Sequence, residues 1–161
     1  MIATTIAAVA SMAMVSIFMM SSQYVAQGYN ETRILNNASV AVENMTREIN
    51  LAFKASAILA SNRPTVSNNS ETFTFTVPVG LVTSQRRFRY DNVAKILHFE
   101  VNNGGVWQDR ANKVFLRDVD SFKIFMGGLQ GFVSFEMIVK ITMQGTDKRF
   151  TMVGRAMPRN I

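Results

Sequence analysis

The chain has 161 residues, 48% of them hydrophobic, which suits one modest domain plus an N-terminal segment. With no Cys and a single His, it excludes a disulfide framework, a thiolate metal site, a Cys nucleophile and any His-pair metal motif. Its 17 Lys+Arg against 11 Asp+Glu give a net charge of +6, and every charge lies at or beyond Glu31. That basic balance allows acidic partners such as nucleic acid or anionic lipid without requiring one.

The first element is MIATTIAAVASMAMVSIFMM, residues 1–20, with no charge, Pro or Gly and only Thr4, Thr5, Ser11 and Ser16 as polar residues. Twenty helical residues rise about 30 Å, enough to cross a bilayer core. The candidate membrane or filament-core positions are Ile2, Ile6, Val9, Ala10, Ala13, Val15, Ile17 and Phe18. Met1, Met12, Met14, Met19 and Met20 are read as packing residues. A cleaved signal peptide wants a positive n-region and a shorter apolar core. No Lys or Arg precedes Arg33, so a retained anchor is expected. The first positive charges, Arg33, Arg47 and Lys54, follow the anchor, and the positive-inside rule would hold that side in the cytoplasm. Either the rule fails here or basic residues precede Met1.

The spacing predicts that the same helix continues through residues 21–60 as an amphipathic segment, until Ser61-Asn62-Arg63-Pro64 breaks it. Leu35, Ala38, Val42, Met45, Ile49 and Ala52 recur at alternating spacings of three and four, and Phe53 widens the stripe. Leu35, Val42, Met45, Ile49 and Phe53 are the expected helix–sheet core. Asn36, Asn37, Glu43, Asn44, Arg47, Glu48 and Asn50 fall mostly off that stripe. Gly28 is the expected bend or close-packing point.

Residues 61–70 read as a loop, and then the period changes to two. Glu71–Val77, Arg86–Tyr90, Lys95–Val101, Val106-Trp107, Val114–Val119, Ser121–Met126, Phe132–Thr142 and Arg149–Val153 are strand candidates. Asp91-Asn92, Asn102-Asn103-Gly104-Gly105, Gly127-Gly128 and Gly145-Thr146-Asp147 are turns between them. Closely spaced strands with tight turns imply an antiparallel sheet, and the helix stripe is its expected cover. The expected fold class is α+β: residues 1–20 an apolar helix, 21–60 its amphipathic continuation, and 61–161 a β-rich head.

Three segments carry a family resemblance. Met1-Ile2-Ala3-Thr4-Thr5-Ile6 resembles the stretch directly after the prepilin cleavage motif, whose usual form is Gly-Phe-Thr-Leu-X-Glu-X-Met-Ile-Ala. Asn44–Ala52 resembles the helix before the sheet in larger minor pilins and J-type pseudopilins. Phe150–Asn160 resembles their closing strand and Pro-Arg-Asn tail. The chain thus resembles the type IV pilin and type II secretion pseudopilin family. The family's cleavage-site Gly, its N-methylated first residue and its assembly Glu are not in this sequence. The alignment would put that Glu two residues before Met1, beyond a basic leader; if Met1 is the mature first residue, Thr5 replaces it. The C-terminal Cys pair and the helix Pro of many major pilins are also absent.

Other constellations carry less chemistry. His98 sits between Leu97 and Phe99 with no nominated nucleophile, so an ordinary strand His is expected. Arg86, Arg87 and Arg89, beside Phe88 and Tyr90, form a basic cluster able to contact polyanions. Asp118 and Asp120 are two apart, too few oxygens for a Ca²⁺ site. The triplets at Asn30, Asn37, Asn44 and Asn68 match the glycosylation pattern, three of them on the predicted helix. There is no phosphate loop or nucleophile elbow, so no enzyme, cofactor or metal is expected.

The resemblance implies a filament subunit. Its partners would be copies of itself, other pilins and an assembly machinery, with residence in the inner membrane before assembly and in an extracellular pilus or periplasmic pseudopilus afterwards. Two alternatives stand beside it: a bitopic membrane protein with a periplasmic interaction domain and no polymer, and a DNA-uptake pilin using Arg86, Arg87 and Arg89.

Overall fold

The computed structural model describes residues 2–53, 65–67, 70–110, 115–127, 132–143 and 145–158, with the side chains of 2–10, 65–67, 70, 126 and 127 outside that description. The chain divides into two compact units, Met1–Asn36 and Asn37–Ile161. It is an α+β protein with one long N-terminal helix and antiparallel sheets.

Helix α1 spans Ile2–Asn50. Nothing in that span forbids it: there is no Pro, and Gly28 is a single weak point. Helix α1 ends at Asn50 rather than near Ala60, as the apolar spacing had suggested. The last turn tightens, with Ala52 donating its N–H to the Ile49 carbonyl (3.0 Å). The next N–H, that of Phe53, is donated to the Thr76 carbonyl (2.9 Å), which starts sheet pairing and cannot coexist with further helix. Residues 54–60 lie outside the described residues. Arg47 sits in the last turn, where a positive charge suits the negative helix end.

The strands are β1 (Thr65–Ser67), β2 (Ser70–Val79), β3 (Val82–Asp91), β4 (Ile96–Asn103), β5 (Val106–Asp109), β6 (Leu116–Arg117), β7 (Val119–Gly127), β8 (Phe132–Met143) and β9 (Thr146–Ala156). The expected loop 61–70 holds β1 and the start of β2; residues 61–64, 68 and 69 lie outside the described residues. Among the described residues there are two sheets instead of one. One is six-stranded, in the order β1-β2-β3-β4-β5 with β6 beside β4; the other is β7-β8-β9. The break falls at Asp118, whose backbone is left-handed (φ 62°). Before it, β6 pairs with β4; after it, β7 pairs with β8. Asp is among the few residues that adopt this conformation cheaply. Gly104 and Gly105, both at positive φ, close the β4–β5 hairpin.

Register explains the core. Phe73 pairs with Phe88 and Phe88 with Phe99, so one cross-strand row is all phenylalanine. Phe88 stacks on Phe99 with ring centroids 4.8 Å apart, and Phe115 sits against both. Such pairs add about 0.5–1.5 kcal/mol each beyond area burial. In the second sheet Val133, Phe135, Met137, Val139 and Ile141 of β8 are all buried. Gly154 of β9 lies directly opposite Phe135.

The buried positions along α1 in the second unit, and just after its end, are Ala38, Ala41, Met45, Glu48, Ile49 and Ala52. Of the six expected stripe positions, Ala38, Met45, Ile49 and Ala52 are buried, and the remainder of the stripe is corrected. Met45 and Ile49 are in the core, but Leu35, Val42 and Phe53 are only half-buried, and Ala41 and Glu48 take their place. At 100° per residue, Leu35 and Val42 lie on the flank of the stripe centred near Met45. A stripe read by hydrophobicity favours Val over Ala, and it leaves out a Glu whose charge is neutralised from another element.

Candidate functional site

The first unit offers a surface without charge. Met12 (72% exposed), Phe18 (74%), Ile17, Met14, Met19, Met20, Tyr24, Val25 and Tyr29 are all open to solvent, as are Val15 and Ala13. No Asp, Glu, Lys or Arg occurs between Ser11 and Asn30. Three of its hydroxyls are satisfied within the helix. Ser16 donates to the Met12 carbonyl (3.0 Å), Ser22 to the Met19 carbonyl (2.9 Å) and Thr32 to the Gly28 carbonyl (2.9 Å). Hydroxyls bonded in this way can enter an apolar environment without losing a partner. The side chains of Ile2, Ile6, Val9 and Ala10 lie outside the described residues. At Gly28 the helix is unbroken, and an added Cβ would meet nothing within 4 Å. Among the described residues, no helix is long and apolar enough to cross a membrane.

Most of the charges lie in the second unit, and several of them are paired internally. Glu48, 3% exposed, accepts hydrogen bonds from the guanidiniums of Arg86 and Arg110. It therefore ties the end of α1 to β3 and to the residue following β5. On β3 successive side chains alternate faces. Arg86 shares the core face with Phe88 and Tyr90, while Arg87 and Arg89 point the other way. There they meet Glu100 of β4, directly across from Arg87. Arg87 donates to one Glu100 oxygen and Arg89 to the other (3.0 Å). The Arg87 guanidinium also lies 4.2 Å from the Trp107 ring centroid. All three arginines of the expected polyanion cluster are thus held by carboxylates of the same chain, on two faces of the sheet.

His98 is on the Glu100 face, half-buried, with Nδ1 3.0 Å from one oxygen of Asp109. His98, Glu100 and Asp109 have ligand-type atoms within 4.8 Å of one another, the one such trio among the described residues. Both Glu100 oxygens are already taken by Arg87 and Arg89, so a cation there would face two guanidiniums. Asp118 is exposed, and Asp120 is bound by Arg149 (2.8 Å); the two do not converge.

Where the sheets meet, the Tyr90 hydroxyl lies 3.0 Å from the Val119 carbonyl and 2.8 Å from the Asp120 carbonyl, and donates its proton there. Burial, then the negative charge of Asp120, pushes the phenol up to about 12. Asp91 accepts from the N–H groups of Ala94 and Val93 (2.9 Å each), and those bonds hold its carboxyl below its ordinary value. The buried Glu48 and Glu100 pairs were not legible in the sequence. Alternation does place Glu100 on the face of Arg87 and Arg89, but only once the register is known.

No family model, curated protein or solved structure matches this chain.

Proposed function

We propose that this protein is a structural subunit of a type IV pilus-like filament that assembles through its N-terminal helix. The observation that carries the reading is the charge-free run of exposed apolar side chains from Met12 to Tyr29. Exposed apolar patches of this extent are rare on monomers and mark interaction surfaces. The sequence resemblance to prepilin helices, and the pilin-like order of a long helix followed by antiparallel strands, support the same reading.

In this reading the apolar helix rests in the inner membrane before assembly and then packs against the same helix of neighbouring copies. Bilayer and filament core are both apolar, so the transfer costs little hydrophobic free energy and packing decides. Ala3, Ala7, Ala8, Ala10, Ser11, Ala13 and Ser16 are small enough for close helix approach. A head-to-tail contact that does not close on itself gives an open helical polymer. The partners are other copies, other pilins and the assembly machinery; the filament is an extracellular pilus or a periplasmic pseudopilus. Arg86, Arg87 and Arg89 are engaged by internal carboxylates, which argues against polyanion binding as their role.

The test is direct. Cells producing the chain are sheared, and the sheared fraction is searched by electron microscopy and immunolabelling. Labelled filaments are expected. Labelled protein that stays wholly in the membrane fraction favours the alternative, a bitopic inner-membrane protein with a periplasmic interaction domain.

A further inference from the structure

The β2–β3 hairpin ends in an exposed apolar tip. Val79 pairs with Val82, and Gly80-Leu81 forms the two-residue turn. Gly80 has φ 60°, and Leu81 is not among the positive-φ residues, the pattern of a turn that wants Gly first and accepts almost any residue second. Leu81 is 106% exposed, with Val79 and Val82 exposed on either side. From Thr72 through Gln85 the chain carries no charge. Among the described residues, β4 pairs with β3 only from Arg86 onward and β1 pairs with β2 only up to Thr72, so Val79–Ser84 has no third strand beside it. A single exposed Leu needs no explanation, but three adjacent aliphatic side chains on an uncharged ribbon do.

We propose that this tip seats on a second copy of the chain, as a head contact in the polymer. The proposal rests on the filament reading above. Area selects the occupant: three aliphatic side chains offer only a few hundred Å², well short of the roughly 800 Å² per partner of a stable pairwise interface. Such a contact works only where something else holds the partners together. The N-terminal helix of an adjacent copy provides that, because every head in a polymer then has another beside it. The absence of charge also fits an acceptor that must be desolvated without leaving an unpaired ion.

The chain has no Cys, so Leu81→Cys introduces a unique thiol. The full-length variant, labelled with a benzophenone maleimide and irradiated in the assembled state, is expected to give covalent dimers and higher ladders. Photoadducts with lipid alone, or none, overturn the proposal. In parallel, Leu81→Asp should keep the melting temperature of the wild type yet raise the concentration needed for filaments at least ten-fold, while Leu81→Ile behaves as wild type. Filaments from Leu81→Asp at the wild-type concentration overturn the tip contact and leave the helix reading intact. If the wild type never polymerises, the filament reading falls, and the tip contact falls with it.

Discussion

Glu48 of α1 and Arg86 of β3, 38 positions apart in sequence, form a hydrogen-bonded ion pair in the interior of the second unit. The Glu48 side chain is almost fully buried, and Arg110 completes its coordination from the other side. A buried carboxylate with two guanidiniums adds little net stability against an apolar replacement. Removing one partner, however, leaves a charge unpaired.

Glu48→Ala should therefore destabilise the protein by about 3 kcal/mol. Urea denaturation followed by far-UV circular dichroism measures it. Arg86 has a buried Nε without a hydrogen-bond partner, so it has no spare contact to fall back on. Pairing Glu48→Met with Arg86→Met should recover much of the loss. A single substitution that leaves the midpoint unchanged would show that the pair is solvated.

Gly154→Ala probes the second sheet. An added Cβ would lie 2.0 Å from the Phe135 ring. The ring is fully buried and has nowhere to go. The expected cost is about 1–3 kcal/mol. Phe135→Leu in the same chain should make Gly154→Ala cheaper than it is alone, a coupling that a double-mutant cycle reads directly.

Stability should fall at both ends of the pH scale, for opposite reasons. The Tyr90 phenol is raised from 10.0 to about 12 in the fold, so its contribution is complete below pH 10 and is lost as pH climbs through about 12. Tyr90→Phe should flatten that alkaline limb. It should also lower stability near neutrality by about 1 kcal/mol, because the Val119 and Asp120 carbonyls lose their donor. At the acid end the Asp147 carboxyl is lowered by hydrogen bonds from Lys140 and Thr142, and that of Asp91 by its backbone donors. Their contribution is present above the ordinary value of 3.8 and disappears as pH falls through the depressed one. Thermal melts of Asp147→Asn and Asp91→Asn against the wild type, from pH 2 to pH 5, test this: each variant should show a weaker acid dependence.

Ile17→Arg places a charge on the exposed apolar helix surface of the first unit. The melting of the second unit should be unchanged. Entry into bilayer or filament core should be abolished, because a guanidinium in either is costly by several kcal/mol. Normal sheared filaments from this variant would refute assembly through the helix.

Much of the architecture is local and was therefore legible from residue order. The alternation of Phe73, Phe75 and Val77, the Gly104-Gly105 turn and the spacing of Met45 and Ile49 each follow from a period or from a backbone preference of one residue. The candidate surface from Met12 to Tyr29 is legible for the same reason, since an uncharged helical run needs no partner to be recognised. The helix end was missed because it depends on Thr76 offering a carbonyl to Phe53, a contact with a strand more than twenty residues away.

By itself, then, the sequence determined a long apolar-to-amphipathic helix, a set of short antiparallel strands and a chain without thiol chemistry. Those properties live in composition and in periods of 3.6 and 2. Only the tertiary structure decided that the strands form two sheets, that Glu48 is inside and Val42 at the flank, and that the arginines of β3 are neutralised by Glu48 and Glu100. A charge is buried only if an opposite charge meets it. Which charges meet is set by strand register and by the left-handed turn at Asp118, long-range facts that no local pattern contains.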